Sequence, residues 1–237
     1  FNSTLWNIWK MGAIKVTPEV IYEDNHIIVV VTPFGMPSQE DDSKDLDMLS
    51  WVKAYVKEKY NKPGEVFIGL VHRLDRVSGG LMVFARTSKA ASRLSDQIRK
   101  KQIEKKYTLV AEGSLEKKSG FMEDFLVKDK SNNKVKAFKN EVKDSKDAKL
   151  SYYVVDERQG LSLVSVDLIT GRSHQIRVQF SSRGCPLYGD LKYGSSNPQK
   201  KSIALWSYYL SFEHPTKKEK LEFKIELPDH KPWDIFK

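Results

Sequence analysis

The stretch Gly69-Leu70-Val71-His72-Arg73-Leu74-Asp75-Arg76-Val77-Ser78-Gly79-Gly80-Leu81 runs an apolar approach into a lone carboxylate flanked by two arginines and followed by glycines. Residues Val66 to Val71 and Leu81 to Ala85 read as strands on either side, so Asp75 stands where a sheet hands the chain to a turn, a usual position for chemistry-bearing residues. The apolar strand mouth would strip water from the carboxylate, while Arg73 and Arg76 favour its ionised form. Ionised and partly desolvated, Asp75 has the properties of a nucleophile. Taken alone, an Arg-x-Asp segment of this kind is far more often a solvated loop ion pair, which contributes little, and the rest of the chain must shift that balance.

Working outward, His26 to Val31 reads as a buried strand broken by Pro33, Gly35 and Pro37 into a partly acidic loop. Apolar residues recur at helical spacing from Leu46 to Tyr60, and Pro63 with Gly64 ends that helix. Ser88 is placed to cap a second helix through Lys101, with Ala91, Leu94 and Ile98 inward and Arg93, Arg99, Lys100 and Lys101 outward. Strands follow at Tyr107 to Ala111, Phe121 to Val127, Lys134 to Phe138, Leu150 to Val155 and Leu161 to Leu168, a run typical of a meander. A short helix begins at Ser173, and strands at Ile203 to Phe212 and Leu221 to Leu227 close the chain. The mixture predicts an α+β fold with a mixed, largely antiparallel sheet flanked by helices and loops. One domain over residues 18–237 is expected, after an N-terminal arm or upstream remnant at 1–17 that fits no periodic element and contains a candidate natural start at Met11.

The chain has 237 residues, 40% of them hydrophobic, which is enough for a proper core. Its 40 Lys and Arg against 31 Asp and Glu give +9 at pH 7, favouring a polyanionic partner, nucleic acid ahead of a membrane surface. Eight lysines fall between Lys128 and Lys149, a solvated polar stretch suited to touching phosphate. The apolar run Ile27 to Val31 is too short to span a bilayer or to form the core of a signal peptide, so a cytoplasmic location is expected. The single cysteine, Cys185, excludes an internal disulfide and a multi-cysteine metal centre. No HExxH, Walker A loop or dinucleotide glycine fingerprint is present, and His26, His72, His174, His214 and His230 are scattered.

Two more clusters carry candidate chemistry. In Thr170-Gly171-Arg172-Ser173-His174-Gln175-Ile176-Arg177 a strand ends, glycine turns the chain and a helix begins. Arg172 can meet a phosphate or the Asp75 carboxylate there, with His174 and Arg177 projecting from the next turn, although a plainly capped helix explains the segment as well. Gly189-Asp190-Leu191-Lys192-Tyr193-Gly194 sets a carboxylate, a lysine and an aromatic between two glycines that permit tight turns.

Together these segments, in this order, resemble the RluA-type pseudouridine synthase family over roughly residues 18 to 228. His72-Arg73-Leu74-Asp75 is similar to the signature holding the family's catalytic aspartate, and Lys105-Lys106-Tyr107 to the segment supplying its active-site tyrosine. The Thr170 to Arg177 cluster is similar to the motif supplying an active-site arginine, and Gly189 to Gly194 and Phe212-Glu213-His214-Pro215 also fit. The chain departs from the pattern at Ser78-Gly79-Gly80-Leu81, where Thr-Ser-Gly-Leu is common, and at Gln179, where His is usual.

The resemblance implies isomerisation of a uridine in ribosomal or transfer RNA, with the base flipped out of its stack and no metal or organic cofactor. It implies Asp75 as the catalytic carboxylate, Arg172 holding it ionised, and Tyr107 against the uracil. RNA contacts are expected from Arg73, which would fill the vacated stack, and from His72, Arg76, His174, Gln175, Arg177 and Lys192. Many relatives also carry a small N-terminal RNA-binding domain, for which the 1–17 segment is too short. A monomer is expected, since no heptad or apolar strip appears. Two other readings stand beside this one: a non-catalytic RNA-binding protein on the same fold, and a nucleoside or glycoside hydrolase pairing Asp75 with Asp167 or Asp190.

Overall fold

The computed structural model describes residues 17–199 and 202–237, so nearly all of the expected arm at 1–17 lies outside the described residues. Eleven strands and three α-helices are formed among the described residues, with antiparallel pairing throughout the registered ladders. The described residues fall into two compact units, one within residues 17–102 and 212–221, the other within residues 103–199, 202–211 and 222–237.

In the first unit β1 (Glu19–Glu23) pairs with β2 (Ile27–Thr32), which pairs with β4 (Gly79–Ala85) from Ile27↔Ala85 to Thr32↔Gly80. Every residue of β4 is buried, the signature of a strand covered on both faces. The expected strand at 66–71 forms a ladder only at β3, Gly69–Leu70, against Phe84 and Ala85. Ile68 is buried without joining that ladder, so the apolar character of this stretch reports burial more than pairing. Helix α1 (Met48–Lys59) starts at Asp47, whose side chain accepts from Ser50 N at 3.0 Å. Helix α2 (Ser88–Arg99) is capped by Thr87, one residue earlier than expected, with Ala90 N donating to its hydroxyl at 3.1 Å.

The segment 212–221 returns to this unit through two buried polar contacts. Gln97 donates from Nε2 to Glu213 O at 2.8 Å and accepts from Glu213 N at 3.0 Å. His214 is fully buried, its Nδ1 accepting from Thr216 and Lys217 and its Nε2 facing Asp24 at 2.8 Å. With Nδ1 occupied as an acceptor, Nε2 carries the proton and donates to the Asp24 carboxylate.

In the second unit β10 (Leu205–Glu213), β5 (Glu104–Glu112), β9 (Leu161–Leu168), β8 (Lys146–Arg158), β6 (Ser119–Asp129) and β7 (Lys134–Phe138) follow one another in space, and β11 (Lys220–Lys224) pairs with β10. Helix α3 (Gln175–Ser181) presents Val178 to a cluster with Leu126, Val135, Ala148 and Tyr193, which ties the β6–β7 hairpin to the helix. On the same helix Gln179, the departure from the family pattern, donates from Nε2 to Asp124 at 2.8 Å, while its buried Oε1 has no hydrogen-bond partner. Asp124 is itself buried, which by itself would raise its pKa; bonds from Arg183, Gln179 and Lys139 outweigh burial and hold the carboxyl below the usual range.

Two measurements check these contacts. A Cβ on Gly69 would stand 2.8 Å from the Ala91 Cβ, so Gly69→Val is expected to overpack the β3–α2 contact and lower unfolding free energy by about 1–3 kcal/mol in denaturant titration. Because the folded pKa of Asp124 is depressed, its stabilisation is complete above its ordinary 3.8 and is lost as pH falls through the lower folded value. Asp124→Asn is therefore expected to melt below the parent at pH 6, with the gap closing below pH ~3.8.

Candidate active site

The Asp75 loop is fixed by backbone bonds in the first unit. Ser38 clamps it from the side, its Oγ donating to Leu74 O and accepting from Leu74 N, both at 3.0 Å. Ser78 closes the turn from the front, donating to Asp75 O at 2.8 Å from both its N and its Oγ. Gly80 then takes φ +114°, a conformation side chains rarely adopt, so the second glycine of Ser78-Gly79-Gly80 serves the backbone where the turn enters β4. Asp75 is left half-buried on a turn with little freedom.

The neighbours of Asp75 differ in fate. Arg73 is exposed and forms no hydrogen bond or ion pair among the described residues. Arg76 turns to the acidic loop, pairing with Asp45 and with Asp41 at 3.3 Å and donating to Gly35 O at 3.1 Å. The expectation that Arg76 flanks Asp75 as a counter-ion is corrected accordingly: two carboxylates and a carbonyl of the 35–45 loop engage its guanidinium. His72 accepts from Val83 N at 3.1 Å through Nε2, which places its ring proton on Nδ1.

In the second unit the turn before α3 is held by side chains. Gln175 Oε1 accepts from Thr170 Oγ1 at 2.8 Å and from Arg172 N at 3.0 Å, and its Nε2 donates to Lys149 O at 3.1 Å. Arg172 donates from Nε to Asp147 O at 2.8 Å and from Nη2 to Asp147 Oδ1 at 2.6 Å. Asp147 thus fixes the guanidinium plane from β8. His174 takes a left-handed backbone, φ 51°, and caps no amide with its side chain.

Arg177 was expected to project from this turn. It is instead buried, gripping Asp190 through Nε at 2.7 Å and Nη2 at 2.8 Å, with the two side chains 7% and 1% exposed. A planar guanidinium facing a carboxylate is the strongest such geometry, and burial makes it a structural tie in place of a surface contact. Gln175 is likewise buried. Gly189 and Gly194 take φ +87° and +101°, as the turn reading of this cluster requires. Tyr193, between them, stacks its ring 5.0 Å from the Arg177 guanidinium. Its hydroxyl accepts from Val135 N and bonds His174 Nδ1, both at 2.8 Å. Lys192 donates to Asn133 O at the hairpin tip at 2.7 Å.

Tyr107 is buried on β5, opposite Val166 of β9 and Ser207 of β10. Its strand neighbour Lys105 is the residue sequence reasoning passed over. Burial pushes the Lys105 ammonium below the ordinary lysine value, and its Nζ lies 3.4 Å from where a Cβ on Gly171 would stand. The only sequence signal was period-two alternation, which puts Lys105 on the face of Tyr107 and Lys106 on the other. In the first unit the structure thus brings His72, Arg73 and Asp75 onto one loop. In the second it sets Arg172 and His174 on one turn with Lys105 beside it, and turns Lys192 to the β6–β7 hairpin tip.

The family model described as RNA pseudouridylate synthase matches residues 26–182, a stretch that contains Asp75, Lys105, Tyr107 and Arg172. The chain is 34% identical over 224 residues to an uncharacterized RNA pseudouridine synthase of Aquifex aeolicus, covering 89% of this chain and 69% of that protein. It is 33% identical to the ribosomal large subunit pseudouridine synthase C of Rickettsia typhi, covering 91% of this chain and 71% of the relative. Among solved structures, human RNA Pseudouridylate Synthase Domain Containing 4 superposes with a TM-score of 0.74 at 23% identity over 89% of each chain, a likeness of fold.

Arg177→Met leaves the Asp190 carboxylate buried without its counter-ion, and a loss of about 3–5 kcal/mol is expected. The double variant Arg177→Met with Asp190→Leu is expected to recover most of that loss by thermal denaturation, since it removes the orphaned charge.

Proposed function

The chain belongs to the RNA pseudouridylate synthase family, an isomerase acting on uridine in RNA, and from that membership we propose that Asp75 supplies the reacting carboxylate. The observation that carries this reading is the turn itself. A half-buried aspartate is held by Ser38 and Ser78 at the entry to a fully buried strand, inside the matched stretch.

The isomerisation breaks the C1′–N1 bond and forms a C1′–C5 bond; C5 gives up a proton, N1 carries one in the product, and no oxidant or added atom enters. Asp75 opens the glycosidic bond by attacking the nucleotide, and the detached uracil turns to present C5. Tyr107 lies against the base and takes part in moving the C5 proton. To Arg172, whose guanidinium Asp147 orients, the family resemblance assigns the role of favouring an ionised carboxylate.

A uridine in folded RNA must leave its stack to react, at a cost of a few kcal/mol. Arg73, exposed and without a hydrogen bond or ion pair among the described residues, is suited to fill the vacated space. His174 and Lys192 of the second unit add RNA contacts of their own, and the lysines of the β6–β7 hairpin meet phosphates through salt-dependent attraction. Burial lowers the pKa of Lys192, with Arg177 and more weakly Lys128 and Lys134 adding to the shift against Asp190, so several cations lie near it on this surface. Arg177 and Gln175, being buried, support this surface from beneath. Relatives named for the ribosomal large subunit make ribosomal RNA the proposed target, acted on by a monomer in the cytoplasm.

Asp75→Asn is expected to abolish pseudouridine formation while RNA affinity stays within about twofold of the parent, since the two side chains are isosteric and only the charge is lost. Pseudouridine mapping of total RNA from cells with and without the gene would identify the substrate uridine. Mass-spectrometric detection of normal product from the purified variant would overturn the assignment, and release of free uracil by the parent would favour the hydrolase reading.

A further inference from the structure

Lys105 and Lys106 are adjacent and chemically identical, yet they live differently. Lys106 faces Asp167, its register partner on β9, at 3.6 Å, and lies 5.4 Å over the ring of Tyr209, its partner on β10. Lys105 points to the opposite face of β5, the face of Tyr107. There it forms no hydrogen bond or ion pair among the described residues, although it is partly buried. Burial lowers its pKa, and no neighbouring cation contributes to that shift. The amine lies beside Gly171, where an added Cβ would meet its Nζ at 3.4 Å.

Holding an unpaired ammonium out of water costs free energy in the free protein, and an anion arriving from outside would offset that cost. The face it shares with Tyr107 identifies the anion. Two residues along one face of a strand are about 6–7 Å apart, a separation suited to the base and the phosphate of a single nucleotide. We propose that Lys105 binds a phosphate flanking the target uridine, on the same β5 face from which Tyr107 meets its base. This deepens the reading of the site given above and rests on it. Lys105 is then a positioning residue: it fixes the nucleotide's backbone and leaves the bond changes to Asp75 and Tyr107.

The test is a cycle between protein and RNA. Short RNAs spanning the mapped uridine are made with the 5′ or the 3′ flanking phosphate replaced by an uncharged methylphosphonate. One of the two replacements is expected to weaken binding by the parent about 10- to 100-fold, the range of a charge-assisted hydrogen bond. Lys105→Gln is expected to bind the all-phosphate RNA as weakly as the parent binds that neutral one, to show no further loss with it, and to keep its rate constant at saturation. Lys105→Arg is expected to restore the phosphate preference. Independent, multiplying losses would overturn the proposal, as would a Lys105→Gln defect confined to the rate constant at unchanged affinity.

Folding gives a second check. Since burial lowers the folded pKa of Lys105, the native state disfavours its charge at pH 7, and this penalty shrinks as pH rises toward the ordinary 10.5. Lys105→Met is expected to melt above the parent at pH 7, with the gap closing on the alkaline side. A less stable Lys105→Met at pH 7 would mean that the amine serves the fold, and would overturn the assignment. A parent that binds RNA with the expected phosphate dependence but forms no pseudouridine would remove the catalytic reading and leave the phosphate contact standing.

Discussion

The buried pairing of Arg177 with Asp190 is the tie on which the second unit's candidate site depends. It joins α3 to the Gly189–Gly194 turn through two bonds with almost no exposure, a geometry in which either partner alone would be an orphaned charge. With that turn pinned, Tyr193 sits against the guanidinium and reaches both His174 and the backbone of β7. The β6–β7 hairpin, which carries much of the lysine charge, is thereby joined to the Thr170–Arg177 turn by one phenol. An apolar pair in place of Arg177 and Asp190 could pack as well, but it would not fix the direction from which Tyr193 approaches His174.

The two units manage backbone and charge in different ways. In the first, serines do the holding: Ser38 and Ser78 clamp the peptide groups on either side of Asp75, so the turn that presents the side chain is fixed through its backbone. In the second, Asp147 fixes Arg172 and Gln175 fixes the turn in front of it, so the cation is oriented before any substrate arrives. Such preorganisation avoids rearrangement at the moment of reaction. Lys105 is the exception in that unit, a cation without a counter-ion among the described residues, at a position where a polyanionic substrate could provide one.

Much of the architecture was legible in local pattern. Strands Lys134–Phe138 and Leu161–Leu168 formed where alternation placed them, and both long helices started within two residues of their expected positions. What escaped did so for physical reasons. Strand β1, Glu19–Glu23, was missed because a register shift between Val20 and Tyr22 breaks its alternation and charged residues end it. The stretch 66–71 looked like a full strand because Ile68 is apolar, but burial and ladder pairing are different demands. Arg177 looked like a surface contact because sequence shows the charge and not Asp190, 13 residues away, waiting to neutralise it.

The sequence by itself determined the family, the α+β class and the residue types available for chemistry, because ordered motifs and hydrophobic period are properties of neighbouring residues. Tertiary structure alone decided which cations are paired. Arg76 went to Asp41 and Asp45, Arg172 to Asp147, Arg177 to Asp190, and Lys105 to none among the described residues. Electrostatic partnership depends on distance and burial in space, and no spacing along the chain encodes it.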